Sequence, residues 1–281
     1  MPDTQQVKEF YDEFSARLLR DYIHGNRRVD LIHRFLREAV PPSTGHVLEI
    51  GCGTGALADF LSRQVAPAAH IDAFDLSSSN IEIAQALFAS PRINFFQDDV
   101  LSTDKLTPPY DLIIIPDVYE HLPRETRAHF NAKVKTLLGP EGKIVLTCPT
   151  PGYFDWMKRN GHALQVIDED ITMDDLLNLA RDADAPITFL RMVNVGLSNE
   201  FMHVLFERGG HQSQRVQPVS QTLVKMPARH NLLTRGWNRL GALWRLAKVT
   251  PKLRDLKARG IVPQRLWIPV RFKPEAKTPG K

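Results

Sequence analysis

Glu49, Gly51, Gly53 and Gly55 stand at alternate positions in residues 46–55 (HVLEIGCGTG), the plainest chemical signal in the chain. Glycine is required where backbone turns sharply or must touch a ligand. An apolar run with β-branched members (Val47, Leu48, Ile50) precedes the loop, and Leu57, Phe60 and Leu61 follow it at helical spacing. A strand, a glycine turn and a helix start make a site for a nucleotide-like ligand. Gly51, Gly53 and Ala56 also satisfy a relaxed dinucleotide fingerprint, so a nicotinamide dinucleotide stays open. Glu49 argues for a ligand carrying cationic groups, since a carboxylate there faces a pyrophosphate unfavourably. Asp75, twenty residues beyond Gly55, closes the next strand and is placed to accept both hydroxyls of a ribose. Cys52 inside the loop and Leu76 after Asp75 complete this edge of the ligand site.

A parallel sheet is needed to hold these groups. Residues 70–76 and 93–96 read as strands, 110–115 as a nearly continuous apolar central strand, and 142–147 as a fifth after a turn at 139–142. Helical patterns fall between them at 81–88 and 124–138, and this alternation predicts a doubly wound α/β sheet. Residues 1–40 read as two amphipathic helices parted by Gly25-Asn26. Beyond Pro149 the pattern changes: 150–170 has no clean period and reads as a lid, 172–183 as a helix, and 187–193 and 201–206 as two last strands. The expected organisation is a helical cap (1–44), a ligand-binding domain (45–208, with a lid at 151–171) and a basic extension (209–281).

The chain has 281 residues, 43% of them hydrophobic, enough for a full core. No run is long and apolar enough for a membrane span, and the polar N-terminus shows no signal peptide, so a cytoplasmic protein is expected. Cys52 and Cys148 read as reduced, buried thiols. The net charge of +4 is unevenly spread: residues 209–281 carry +14 and the rest −10.

Taken in order, VLEIGCGTG, FDLS, QDDV, YDLIIIPDVYEHL and GKIVLTCPTP, spread over about residues 45–150, resemble the class I S-adenosylmethionine (SAM) methyltransferases. The likeness is to the small-molecule type that includes the ubiquinone-biosynthesis O-methyltransferases. It implies a Rossmann-like seven-stranded sheet of order 3-2-1-4-5-7-6 with the last strand antiparallel, and SAM as cofactor. Glu49 would then act near the amino-acid end of SAM. Asp99 and the backbone of Val100 would meet adenine, with Asp98 in reserve. Pro116 would line the site, and Tyr11, Phe14 and Tyr22 would cap it from the N-terminal helices.

Methyl transfer is an in-line displacement, and a hydroxyl acceptor must also lose its proton. His121, in the Asp117-Val118-Tyr119-Glu120-His121 segment after the fourth strand, is the first candidate base, with Asp117 and Glu120 beside it. D-x-x-E-H also resembles the E-x-x-E-H cluster by which some ubiquinone O-methyltransferases hold a divalent cation, so Mg2+ on Asp117, Glu120 and His121 is a further expectation. Asp168, Glu169 and His203 are candidate substrate contacts. The N/D-P-P-Y/F motif of nucleobase N-methyltransferases and a Pro-Cys nucleophile are missing, which weighs against nucleic acid as substrate.

The reading is O-methylation of a small molecule, sugar or glycan. An N-methyltransferase acting on an amine, or an RNA- or membrane-associated module that keeps SAM as a regulatory ligand, stand as alternatives. In 231–248, Leu233, Trp237, Leu240, Trp244 and Ala247 form one stripe flanked by basic residues. Such a helix suits an anionic membrane surface, a phosphorylated or lipid-linked substrate, or packing on the acidic body. Pro263, Pro269, Pro274 and Pro279 point to an extended end.

Overall fold

The computed structural model describes residues 4–161, 168–209 and 232–262, with side chains from Phe14 onward and, in the last segment, from Gly241. The chain opens with α1 (Thr4–His24) and α2 (Arg27–Ala39). Between them Asn26 caps α2, its side-chain oxygen accepting from the Arg28 N–H at 2.9 Å. Then come β1 (His46–Ile50), α3 (Ala56–Phe60) running into a π-type turn over Leu61–Val65, β2 (His70–Asp75), α4 (Ser78–Phe88), β3 (Ile93–Gln97) and β4 (Tyr110–Pro116). The second half holds α5 (Arg127–Leu137), β5 (Leu138–Pro149), α6 (Pro151–Arg159), α7 (Met173–Asp182), β6 (Ile187–Val193), β7 (Phe201–Glu207) and α8 (Leu232–Ala258).

The seven strands form one sheet in the order β3-β2-β1-β4-β5-β7-β6. β1 to β5 are parallel, and β7 runs antiparallel to both β5 and β6. Its two faces carry separate cores. α1 to α4 and α8 cover one, through Ile23, Phe35, Ala58, Ile83 and Leu256; α5 and α7 cover the other, through Phe130, Val134 and Leu176. Central β4 is buried from Leu112 to Ile115, as its unbroken apolar run requires. The carboxyl ends of β1, β2 and β4 therefore share one edge, where a doubly wound sheet opens its crevice.

Three expectations need correction. β5 starts at Leu138, not 142, because Leu138 pairs with Tyr110 before the register shifts and the ladder resumes at Leu112. The region expected as lid contains α6, whose start is set by Thr150 as N-cap and Pro151 in the first turn. On α8 the packed side chains are Ala242, Val249, Leu253 and Leu256, whereas Trp244 is 65% exposed and Ala247 is also exposed. Leu233, Trp237 and Leu240 lie outside the described side chains, as do the prolines beyond 262. Among the described residues no helix is long and apolar enough to cross a membrane.

Candidate active site

The glycine loop leaves β1 through backbone that side chains resist. Gly51 has φ +74°, and a Cβ there would sit 2.4 Å from Val118 Cγ2. Gly55, at φ +81°, would drive a Cβ to 2.7 Å from the Ala84 Cβ. Asp75 ties the loop to the next unit. Its Oδ2 accepts from the Gly53 N–H at 2.9 Å, while Oδ1 accepts from the Ser77 N–H at 2.9 Å and from Asn80 Nδ2 at 3.2 Å. One carboxylate thus fixes the turn and the start of α4 together. Carboxylate oxygens can take further donors, so this leaves Asp75 able to meet ribose hydroxyls.

Glu49 lies beneath the loop, 1% exposed, and its Oε2 has no hydrogen-bond partner among the described residues. Burial, reinforced by the Asp75 charge, pushes its carboxyl up to about 8. A buried acid with an unpartnered acceptor is costly unless a further donor meets it. At β3 the two aspartates differ. Asp98 is partly desolvated, which works against its charge. Donors from Lys105, Thr103 and the Asp99 N–H outweigh that and hold its carboxyl below the ordinary value. Asp99 Oδ1 accepts from the Leu101 N–H at 3.0 Å, and its other oxygen has no partner among the described residues. Asp99, followed by buried Val100, is thus engaged by fewer donors than Asp98.

Glu49, Cys52, Asp75, Leu76, Asp98, Asp99, Val100 and Pro116 line one cavity of about 2100 Å³. Phe14 and Tyr22 line it too, whereas the Tyr11 side chain lies outside the described residues. The Cys52 thiol contacts the Gly53 carbonyl at 3.6 Å, and burial raises it well above its usual range.

Asp117, Glu120, His121 and Asp168 stand in the same wall. Asp117 adopts φ 53°, rare for a side-chain-bearing residue. It is held there by its N–H to the Thr147 carbonyl at 2.9 Å, by Thr147 Oγ1 at 3.1 Å and by Arg28 at 3.2 Å. His121 Nδ1 meets Asp168 Oδ1 at 2.9 Å, and its Nε2 is 4.0 Å from Glu120 Oε1. Glu120 is 2% exposed, its Oε2 unpartnered among the described residues; burial raises its carboxyl to about 7, against the pull of His121.

The Mg2+ expectation on Asp117, Glu120 and His121 is not supported. Among the described residues no group of three acidic, His or Cys side chains converges as metal ligands. The physical reason is local: Arg28 occupies the Asp117 carboxylate and Asp168 the His121 ring. Two substrate assignments also fall away from the cavity. Glu169 faces Arg124 and Arg127 at 3.5 and 3.7 Å. His203 is fully buried on β7, stacked on Phe35 at 5.0 Å, and burial followed by Arg191 lowers its ring to about 3. Sequence reasoning missed Arg28, whose partner is 89 positions away by subtraction from Asp117. Arg245 and Lys248, two of the basic residues flanking the stripe in the sequence, bring α8 into the cavity wall.

Residues 47–142 match the family model of the methyltransferase domain. A malonyl-[acyl-carrier protein] O-methyltransferase of Paenibacillus is 34% identical over 115 residues, 38% of this chain and 40% of its own. A ubiquinone biosynthesis O-methyltransferase of Xylella fastidiosa is 31% identical over 94 residues, 32% of this chain and 36% of its own. The chain spans about half or less of the length of the curated relatives it matches. Among solved structures, the magnesium protoporphyrin IX methyltransferase of Synechocystis, with bound SAH, covers 74% of this chain and all of its own. Its TM-score is 0.54 at 18% identity, a likeness of fold. The likeness in sequence to a methyltransferase domain thus covers the segment from β1 to the start of β5.

Proposed function

We propose that the chain is a SAM-dependent methyltransferase that moves a methyl group to a hydroxyl of a small molecule or sugar. The observation that carries this reading is the His121–Asp168 pair, 2.9 Å apart, in the wall of the cavity that also holds the glycine loop and Glu49. The residues present fit SAM. Glu49 offers a buried, unpartnered oxygen to an ammonium group, Asp75 stands at the end of β2 for a ribose, and Asp99 keeps one oxygen for an adenine amine. When bound, SAM supplies an electrophilic methyl on a sulfonium.

The protein's own part is positioning and proton removal. With Asp168 accepting from Nδ1–H, the imidazole is held in the tautomer whose Nε2 carries a lone pair. That nitrogen takes the proton of an acceptor hydroxyl, and Asp168 stabilises the imidazolium formed. The burial of Glu120 shows that this neighbourhood is poorly solvated, which strengthens that interaction. Arg28 on α2 holds Asp117 at the mouth, joining the N-terminal helices to the reacting end.

The test is transfer from methyl-labelled SAM into a host extract separated into small-molecule, lipid-glycan, protein and RNA pools. Label in either of the first two pools supports the reading. Label in RNA or protein, or in an amine of the small-molecule pool, overturns the acceptor class.

A further inference from the structure

The cavity does not end at the 117–121 cluster. It continues between α2 and α3 and is closed on one side by α8. Along this stretch Arg34, Arg37, Arg63, Arg245 and Lys248 line it against three acids, Asp21, Asp30 and Asp59. Asp59 is taken by Arg63 at 2.6 Å. Asp30 is a single carboxylate set among Arg245, Arg34 and Arg37, which favour its charge while burial raises its carboxyl. Arg37 is pre-oriented, lying over the Phe60 ring at 4.8 Å and donating to Gln64 Oε1 at 2.7 Å. Arg245 is anchored by one nitrogen to the Ile23 carbonyl at 2.9 Å.

Concave walls with an excess of one sign concentrate ligands of the other sign, and fixed guanidinium forks match phosphate oxygens. We propose that this stretch binds a phosphoryl group of the acceptor, so that the substrate is a phosphate-bearing molecule. The inference rests on the reading of the cavity as a methyl-transfer site and names the substrate class of that site. Helical rise sets the span: Arg34 and Arg37 lie ~9 and ~14 Å along α2 from Arg28, which marks the reacting end. The hydroxyl that is methylated and the phosphate are therefore on the order of 10 Å apart.

The experiment titrates inorganic pyrophosphate calorimetrically into the full chain, with SAM titrated separately. Saturable pyrophosphate binding is expected, weakened at least tenfold by Arg37→Ala with Lys248→Ala while SAM affinity stays within about twofold. Lys248→Gln alone, on a half-buried side chain, serves as the milder variant should the double change disturb folding. Arg254→Ala, exposed on the outer face of α8, is expected to change nothing. Wild-type protein that binds SAM but not pyrophosphate overturns the inference, and so does an equal loss in Arg254→Ala, which would mean diffuse surface attraction. Pyrophosphate binding through these residues without SAM binding would sink the methyl-transfer reading and leave the phosphoryl site standing. Flotation with phosphatidic-acid vesicles separates two sources of the phosphate. Flotation lost in the Arg37/Lys248 variant assigns it to a lipid headgroup, and pyrophosphate binding without flotation assigns it to a soluble ester.

Discussion

Replacing Glu49 by Gln removes a charge that the unliganded protein scarcely carries, and this makes its effect on ligand binding depend on pH. With the carboxyl at about 8, roughly nine in ten molecules hold the proton at pH 7. A cationic ligand that requires the carboxylate must first drive that proton off, costing about 1.4 kcal/mol at pH 7 and twice that at pH 6. SAM affinity of the wild type should therefore rise about tenfold per pH unit up to pH 8 and then level off, with close to one proton released per ligand at pH 7. In Glu49→Gln the slope and the proton release vanish. Affinity at pH 8 falls by about tenfold to a hundredfold, the worth of a hydrogen bond to a charged group. Calorimetric titration in two buffers of different ionisation enthalpy measures both quantities. Stability moves the other way. Folding raises this carboxyl from 4.5 to about 8, so the folded state holds a proton that the unfolded state has lost across that window. Stability then falls as pH rises from 4.5 to 8, by at most about 5 kcal/mol. Unliganded Glu49→Gln should melt higher than wild type at pH 8 and alike at pH 4. Equal affinity and an equal pH slope in the two proteins would refute the placing of Glu49 against a cationic ligand.

Asp168→Asn should lower kcat by on the order of a hundredfold with KM for SAM unchanged, because Asn can no longer fix the imidazole tautomer; steady-state kinetics at varied SAM reads the split. Gly51→Ala pushes a methyl to 2.4 Å from Val118 Cγ2 at φ +74°. The melting temperature should drop by an amount matching about 1–3 kcal/mol, and SAM binding should weaken with it. Leu253→Ala empties part of the contact between α8 and the body and should destabilise the whole protein by about 2–4 kcal/mol in urea unfolding. If α8 were an independent tail, that change would be silent.

The parts of the fold carried by local pattern were legible. Strands β1 to β4 announce themselves as short apolar runs, and the Gly51–Gly53–Gly55 spacing can be read because positive φ excludes most other residues. What depends on a distant partner was not. Trp244 and Ala247 lie on an apolar stripe, yet α8 turns Val249, Leu253 and Leu256 inward. The surface it meets, α1 and the end of α4, cannot be inferred from the helix itself. Lys252 donates to the Leu87 carbonyl at 3.2 Å and Lys248 lies over Phe88 at 4.9 Å, contacts that fix this rotation. His203 looked like a functional group because histidine on a strand is polar; its stack on Phe35 is a tertiary fact. The same holds for Arg28, whose hold on Asp117 no spacing could foretell. α6 is different, since Thr150-Pro151 is a local helix start hidden by the glycines around it.

The central claim is that His121 removes the acceptor's proton in a cavity that holds SAM. The most direct measurement is the rate of label transfer from methyl-labelled SAM to the small-molecule or lipid-glycan pool, by wild type and His121→Ala at equal SAM saturation. A loss of about a hundredfold or more in His121→Ala, with SAM still bound, is the predicted result. Equal rates in the two proteins would contradict the account.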